Sequence, residues 1–174
     1  IRNIKVICNV NDFIAKCKNE IASETDVLIV INNPKIRKVI AELFLDEKID
    51  INFPNLVDGT LIFDSDYSKM GKGNIIMDYV GITGNVNIGD FNIFGARTGI
   101  GHDSSIGSFN TFSPRVSISG NVTIGNGNTI GLNAAILQNK TIGDSNDIWS
   151  YTMILKNIKN NGTYFGMPAK KIHI

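Results

Sequence analysis

The sequence predicts a mainly β chain in which a three-sided parallel β-helix of about five coils follows a small α/β unit. Three observations carry that expectation. Large apolar residues recur every six positions without a slip, from Met70, Ile76 and Ile82 through to Ile154, fifteen in all. No glycine occurs before Gly59 although the chain holds 17, so the punctuation of the chain changes there. The composition pairs 29 isoleucines and 22 asparagines with those glycines, which suits short strands joined by tight turns. These features divide the chain into an α/β unit over residues 1–58, a β-helix over 59–158 and a C-terminal tail over 159–174.

Within the first unit a short strand is expected at Lys5–Cys8 and a helix from Asp12 to about Glu20. Asp26-Val27-Leu28-Ile29-Val30-Ile31 is a continuous apolar run of strand length, as for a strand covered on both faces. Asn33 can cap a second helix with Pro34 at its first position. Ile36, Val39, Ile40 and Leu43 then recur at helical spacing and predict its buried face. The unit is too small to stand alone, so it should lean on the β-helix or on residues upstream of Ile1. Because the chain opens on Ile rather than Met, such residues are expected. No glycine-rich turn lies in this unit, so a dinucleotide or P-loop phosphate cradle is absent from it.

A six-residue period is one short strand plus one tight corner, with the large apolar residue inside. Glycine directly follows that residue at eight steps, including Gly71, Gly89, Gly101 and Gly125, and is expected to make the corner. Three sides close a triangle, so one coil should use eighteen residues. Two positions before the apolar column, Asn74, Asn92, Asn110, Asn128 and Asn146 recur at that step, predicting a stacked amide ladder. The matching columns read Val80, Thr98, Val116, Ala134, Thr152 and Val86, Ser104, Val122, Lys140, Ile158. Lys140 should turn outward or mark a distortion. Five coils would stand about 24 Å tall at ~4.8 Å between strands. Handedness does not follow from this arithmetic.

Several function classes are excluded. A net charge of +1 with 19% charged residues leaves no basic footprint for nucleic acid. Two cysteines, Cys8 and Cys17, match neither a disulfide scaffold nor a zinc motif, so a reducing, cytoplasmic setting is expected. No apolar run reaches the roughly 18 residues of a membrane span, and the opening residues do not resemble a secretory signal. Only two histidines exist, His102 and His173, too few for a three-histidine zinc site, and no metal is expected. His173 reads as part of a solvated tail. His102 falls at an outward corner near the middle of the stack, beside Asp103. A neighbouring carboxylate can orient an imidazole, whose reference pKa of ~6.5 suits a base near neutral pH.

Ile100-Gly101-His102-Asp103, Ile106-Gly107-Ser108-Phe109, Ser113-Pro114, Ser119 through Gly125 and Gly166-Met167-Pro168-Ala169-Lys170 resemble the sialic acid O-acetyltransferase and UDP-4-amino-sugar N-acetyltransferase family. The resemblance extends to Asn33-Pro34-Lys35-Ile36-Arg37 and Phe53-Pro54-Asn55-Leu56, and so spans nearly the whole chain. It implies a left-handed parallel β-helix, against the general right-handed preference of parallel crossovers. It also implies acetyl transfer from acetyl-CoA to an amine or hydroxyl of a sugar, nucleotide-linked in the family's manner, by direct attack. His102 would be the general base, Asp103 would orient it, and the Gly120 N–H would meet the acetyl carbonyl oxygen. The pantetheine arm would lie in a groove between neighbouring β-helices of a homotrimer, walled by Leu132, Asn133 and Ser150. Several family members carry a second histidine nine residues after the first; here Thr111 stands in that place, as a hydroxyl that can still donate to acetyl-CoA. Trp149 could meet the adenine, a neighbouring subunit or the last coil, and Lys170 or Lys171 could meet CoA phosphates. The competing reading is a non-catalytic β-helix that serves as a binding or assembly scaffold, which needs no His-Asp corner.

Overall fold

The computed structural model describes residues 9–19, 25–46 and 51–173; the expected strand at Lys5–Cys8, with Cys8, lies outside them. Three parallel sheets make the sides of a prism, and the chain winds as a left-handed parallel β-helix of about six turns. The first face runs from Leu56–Val57 to Thr163–Phe165, the second from Ile62–Phe63 to Met153–Ile154, and the third from Lys69–Met70 to Thr141–Ile142. Pairs such as Thr111↔Thr129, Ser117↔Ala135 and Thr123↔Thr141 show the eighteen-residue coil. The winding exceeds the hexad count because its ends slip in phase. At the start Val57 pairs with Ile76 and Phe63 with Ile82, nineteen apart. At the other end Ile142 pairs with Ile158 and Ile148 with Tyr164, sixteen apart. One added residue, or two deleted ones, moves a side chain off the six-step column while the backbone keeps its ladder.

Every residue of the apolar column from Ile76 to Ile154 is buried, and Phe94 stacks on Phe112 at 4.8 Å. The asparagine ladder forms as expected. Each buried Oδ1 accepts the backbone N–H of the next asparagine at 2.8–2.9 Å and its Nδ2–H at 3.0–3.1 Å. Asn55 starts the column and the Gly162 N–H ends it. Asn110→Ala would leave the buried Asn128 N–H and the partly buried Gly125 carbonyl without these partners. We expect about 2–4 kcal/mol of destabilisation in a chemical melt; a neutral result would show that the ladder merely fills space. Lys140 is half-exposed and its Nζ donates to the Asn139 carbonyl, so the broken column does turn outward.

One expectation about the corners is corrected. The left-handed backbone positions lie three residues after each inward residue and carry Tyr79, Asn85, Phe91, Arg97, Asp103 and their successors, with glycine there only at Gly73 and Gly127 along the hexads. The glycines that follow the apolar column serve close approach instead. A Cβ on Gly89 would sit 2.9 Å from the Gly107 carbonyl, and one on Gly107 2.6 Å from the Gly125 oxygen. Neighbouring coils at strand spacing leave no room there for a side chain.

The first unit has two helices, α1 (Val10–Asn19) and α2 (Pro34–Asp46). Asn9 caps α1 by accepting the Asp12 N–H at 2.9 Å, which starts the helix ahead of Asp12. Asn33 caps α2 by accepting from the Lys35 and Ile36 N–H groups. The predicted buried face of α2 is not the one used. Ile36, Val39 and Leu43 are exposed and Ile40 is half-buried, whereas Pro34, Arg37, Ala41 and Phe44 are buried. The two stripes have the same helical period, and the choice between them comes from Arg37, whose guanidinium binds the β-helix. Asp26–Ile31 also departs from a strand: only Asp26 bridges, to Asn52, and Val30 is exposed. Its partner is cut short by Phe53-Pro54, where the chain leaves for the first coil.

The unit leans on the β-helix as its size demands. Ile14, Ile29, Ala41, Phe44 and Phe53 share one cluster with Phe91 of the coil. Edge-to-face contacts run from Phe44 to Phe53 and on to Phe91, which stacks on Phe109 at 5.2 Å. Among the described residues no helix is long and apolar enough to cross a membrane.

Candidate active site

His102 and Asp103 sit on the corner between the second and third faces, in the coil whose strands are Gly99–Ile100 and Ser105–Ile106. The backbone pins the dipeptide from both sides. The Asp103 N–H donates to the Gly84 carbonyl of the preceding coil, and the Asn121 N–H of the following coil donates to the His102 carbonyl at 2.7 Å. Asp103 has φ 59°, a left-handed turn that Asp tolerates better than most residues. That turn brings its Oδ2 to 2.7 Å from His102 Nδ1. The Oδ1 accepts from Asn85 Nδ2, also at 2.7 Å. The Asn85 hydrogen bond first, then the one from His102, hold the Asp103 carboxyl below its ordinary value. The carboxylate is therefore ionised at neutral pH, and its hold on the imidazole is lost only as pH falls through that depressed value. Both side chains are more than half exposed.

The other ring nitrogen faces Gly120 of the next coil. A Cβ on Gly120 would lie 2.6 Å from His102 Nε2 and 2.7 Å from Cε1, so the ring rests against bare backbone. The Gly120 N–H donates to no oxygen among the described residues, unlike its neighbours at Ser119 and Asn121. The corner thus combines an exposed, oriented imidazole, whose Nε2 lies against Gly120, with the N–H of that buried glycine, unpaired among the described residues. That is the equipment for removing a proton and for stabilising a nearby oxyanion.

The remaining predicted site residues lie elsewhere in the same chain. Thr111 is on the first face, opposite that corner, and is buried. Its Oγ1 donates to the Asn32 carbonyl at 2.7 Å and accepts from Arg37 Nη2 at 2.9 Å. The hydroxyl expected to donate to acetyl-CoA has its proton committed to the join with the first unit. Beside it opens a cavity of about 570 Å³ bordered by Asn33, Pro34, Gly95, Ser113 and Thr129. Leu132 and Asn133 occupy the corner between the first and second faces, one coil before Ser150. Ser150 borders a cavity of about 380 Å³ with Gly131, Trp149 and Phe165. Trp149 donates from Nε1 to Asp147 and lies 5.9 Å from the Phe165 ring, so it packs on the closing hairpin. Lys170, Lys171 and His173 are exposed near the chain end.

Sequence reasoning missed two residues. Asn85 is eighteen before Asp103, so the coil period could have found it. Arg37 is fully buried and donates to the carbonyls of Ile31, Asn32, Phe91, Phe109 and Asn110 besides Thr111. Burial lowers its pKa to about 10, which still leaves a cation at neutral pH. Nothing in the local pattern distinguished it from a solvated helix arginine.

No protein-family model matches the chain, and no curated protein matches it. Solved structures do. The acetyltransferase domain of PglB from Neisseria gonorrhoeae FA1090, in complex with acetyl coenzyme A, superposes with a TM-score of 0.87 at 22% identity, covering 99% of this chain and 80% of that one. A mutant of perosamine N-acetyltransferase from Caulobacter crescentus, in complex with CoA and GDP-perosamine, gives 0.85 at 16% identity over 94% of this chain and 75% of that one. WeeI from Acinetobacter baumannii AYE gives 0.76 at 23%, over 93% and 76%. At these identities the likeness is one of fold.

Proposed function

We propose that this chain transfers an acetyl group from acetyl-CoA, as co-substrate, to an amine or hydroxyl of a sugar, with nucleotide-linked amino sugars as the acceptor class. The observation that carries the reading is the His102–Asp103 pair, 2.7 Å apart, with Nε2 against Gly120. In this reading the acceptor nitrogen or oxygen attacks the thioester carbon while His102 Nε2 takes its proton. Asp103 keeps the proton of the neutral ring on Nδ1 and stabilises the imidazolium that forms. The Gly120 N–H meets the charge developing on the acetyl oxygen; the C–S bond then breaks and the imidazolium gives its proton to the sulfur, which leaves as CoA thiol. No acyl-enzyme and no metal take part. The fold shared with CoA-bound sugar N-acetyltransferases supports the co-substrate and the acceptor class.

The reading includes a homotrimer with sites between adjacent β-helices. His102 lies on the corner opposite the Thr111 face, and Leu132, Asn133 and Ser150 lie on a different corner again. Neighbouring copies could face the His102 corner of one chain and the Leu132–Ser150 corner of the next across a cleft. A small-molecule sugar, and neither nucleic acid nor membrane, is the partner in this reading. The cytoplasm, a reducing compartment, is its setting.

Release of CoA thiol from acetyl-CoA, measured across a panel of nucleotide amino sugars, tests the proposal. His102→Ala is expected to lose roughly 10²–10⁴ in kcat without a change in thermal midpoint, the scale of a general base. Full turnover in that variant would remove His102 from the role, and absence of any CoA binding by the unaltered protein would favour the scaffold reading.

A further inference from the structure

We infer that Asn85, one coil before the His-Asp corner, is the positioning residue that sets the tautomer of His102. The inference rests on the proposed role of His102 as base, and it adds a third member to the pair. Asp103 and His102 are more than half exposed, and an exposed pair by itself is weakly oriented, because two side chains must surrender rotamer freedom in water. Here the carboxylate is not left to itself. Asn85 Nδ2 donates to Oδ1 at 2.7 Å, which leaves Oδ2 as the oxygen aimed at Nδ1. The direction of the Asn85 amide is not ambiguous, since an ionised carboxylate only accepts and the NH2 must face it.

The coil geometry makes this contact. Asn85 and Asp103 occupy the same left-handed corner position, with φ 60° and 59°, one coil apart. Backbone bonds hold both flanks of the corner, from Asp103 N–H to the Gly84 carbonyl and from Asn121 N–H to the His102 carbonyl. The rotation of the Asp103 carboxylate is the freedom that Asn85 removes. A carboxylate so held accepts Nδ1–H and keeps the lone pair of the neutral ring on Nε2, against Gly120. A released carboxylate would let the ring carry its proton on Nε2, where it could not act as base.

The same corner supplies an internal control. Two coils later Asn121 Nδ2 donates to Asn139 Oδ1 at 2.8 Å, a similar side-chain bond that touches neither the His102 ring nor the Asp103 carboxylate. Asn85→Gly and Asn139→Gly each delete one such corner bond, and glycine suits the left-handed backbone at both sites. The ring-nitrogen chemical shifts of His102, identified against His102→Gln in a chain with two histidines, report the tautomer directly. We expect the unaltered protein and Asn139→Gly to show neutral His102 protonated on Nδ1, and Asn85→Gly to shift toward Nε2. In the transfer assay Asn85→Gly should lower kcat roughly five- to tenfold, on the scale of one charge-assisted hydrogen bond, with KM for acetyl-CoA unchanged. An unchanged tautomer in Asn85→Gly, or an equal shift in Asn139→Gly, overturns the inference. The spectroscopic arm needs no turnover, so failure of the acetyltransferase reading and failure of this one are told apart.

Discussion

Arg37→Met is expected to loosen the first unit from the β-helix at a cost of about 3–5 kcal/mol, the range seen when a buried charged network loses one member. The side chain would keep roughly its volume, so the loss is polar. Carbonyls of Ile31, Phe91 and Phe109 would face a methyl and thioether in place of N–H donors, and that of Asn32 would keep only the Thr111 hydroxyl. Each buried carbonyl left alone costs about 1–3 kcal/mol, and partial entry of water keeps the sum below the arithmetic total. Arg37→Lys should recover little, because a compact ammonium with three donors cannot reproduce a planar fork that reaches both the 31–32 segment and two coils. No carboxylate pairs with Arg37 among the described residues, so the cation is held by the dipoles of backbone carbonyls and the Thr111 hydroxyl. The effect should be local. Amide exchange is expected to rise across α1 and α2 while the apolar column from Ile76 to Ile154 stays protected. Uniform loss of protection, or none, would show that the aromatic contacts through Phe53, Phe91 and Phe109 hold the units together without the latch.

Alanine at Gly120 and at Gly101 should separate chemistry from folding. At Gly120 the added methyl would meet the His102 ring, which is the end of a rotatable side chain, and its φ is ordinary for an L residue. The ring can swing away at small cost in stability, but Nε2 then leaves the Gly120 N–H. We expect a loss approaching that of His102→Ala, about 10²-fold or more in kcat, with a thermal midpoint within a few degrees of the parent. At Gly101 the methyl would lie 2.5 Å from the Gly120 nitrogen and from the Ser119 carbonyl carbon, which are backbone and cannot rotate aside. That substitution should lower stability by about 2 kcal/mol or more, and because the displaced nitrogen is the Gly120 donor it should lower activity as well, so the thermal midpoint is what tells the two variants apart. Equal behaviour of the two variants would mean that the ring does not depend on bare backbone at Gly120.

The strictly periodic parts of this molecule were legible, and the reason is physical. In a β-helix each coil repeats the same local problem, so the inward column, the asparagine ladder and the outward turn of Lys140 all follow from positions counted along the chain. The His102–Asp103 contact was legible for a related reason, being made between adjacent residues on a corner whose phase the period sets. The first and last coils were less so, because one added residue or two deleted ones break the count while hydrogen bonds between strands persist. Resemblance supplied Gly120, whose place against the imidazole depends on a neighbour in the next coil.

The sequence by itself determined the repeat, the triangular section, the buried columns and the corner that carries His102, since these arise from contacts at fixed separations of one to eighteen residues. Only the tertiary structure decided which stripe of α2 is buried, that Arg37 is a latch, and that Thr111 has its hydroxyl committed to Asn32. Those outcomes depend on where two units meet, at separations of 54 to 79 residues. Two helical stripes of equal period are degenerate until a partner surface presents acceptors to one of them. The coil presented carbonyls, and the helix turned its arginine inward rather than its isoleucines.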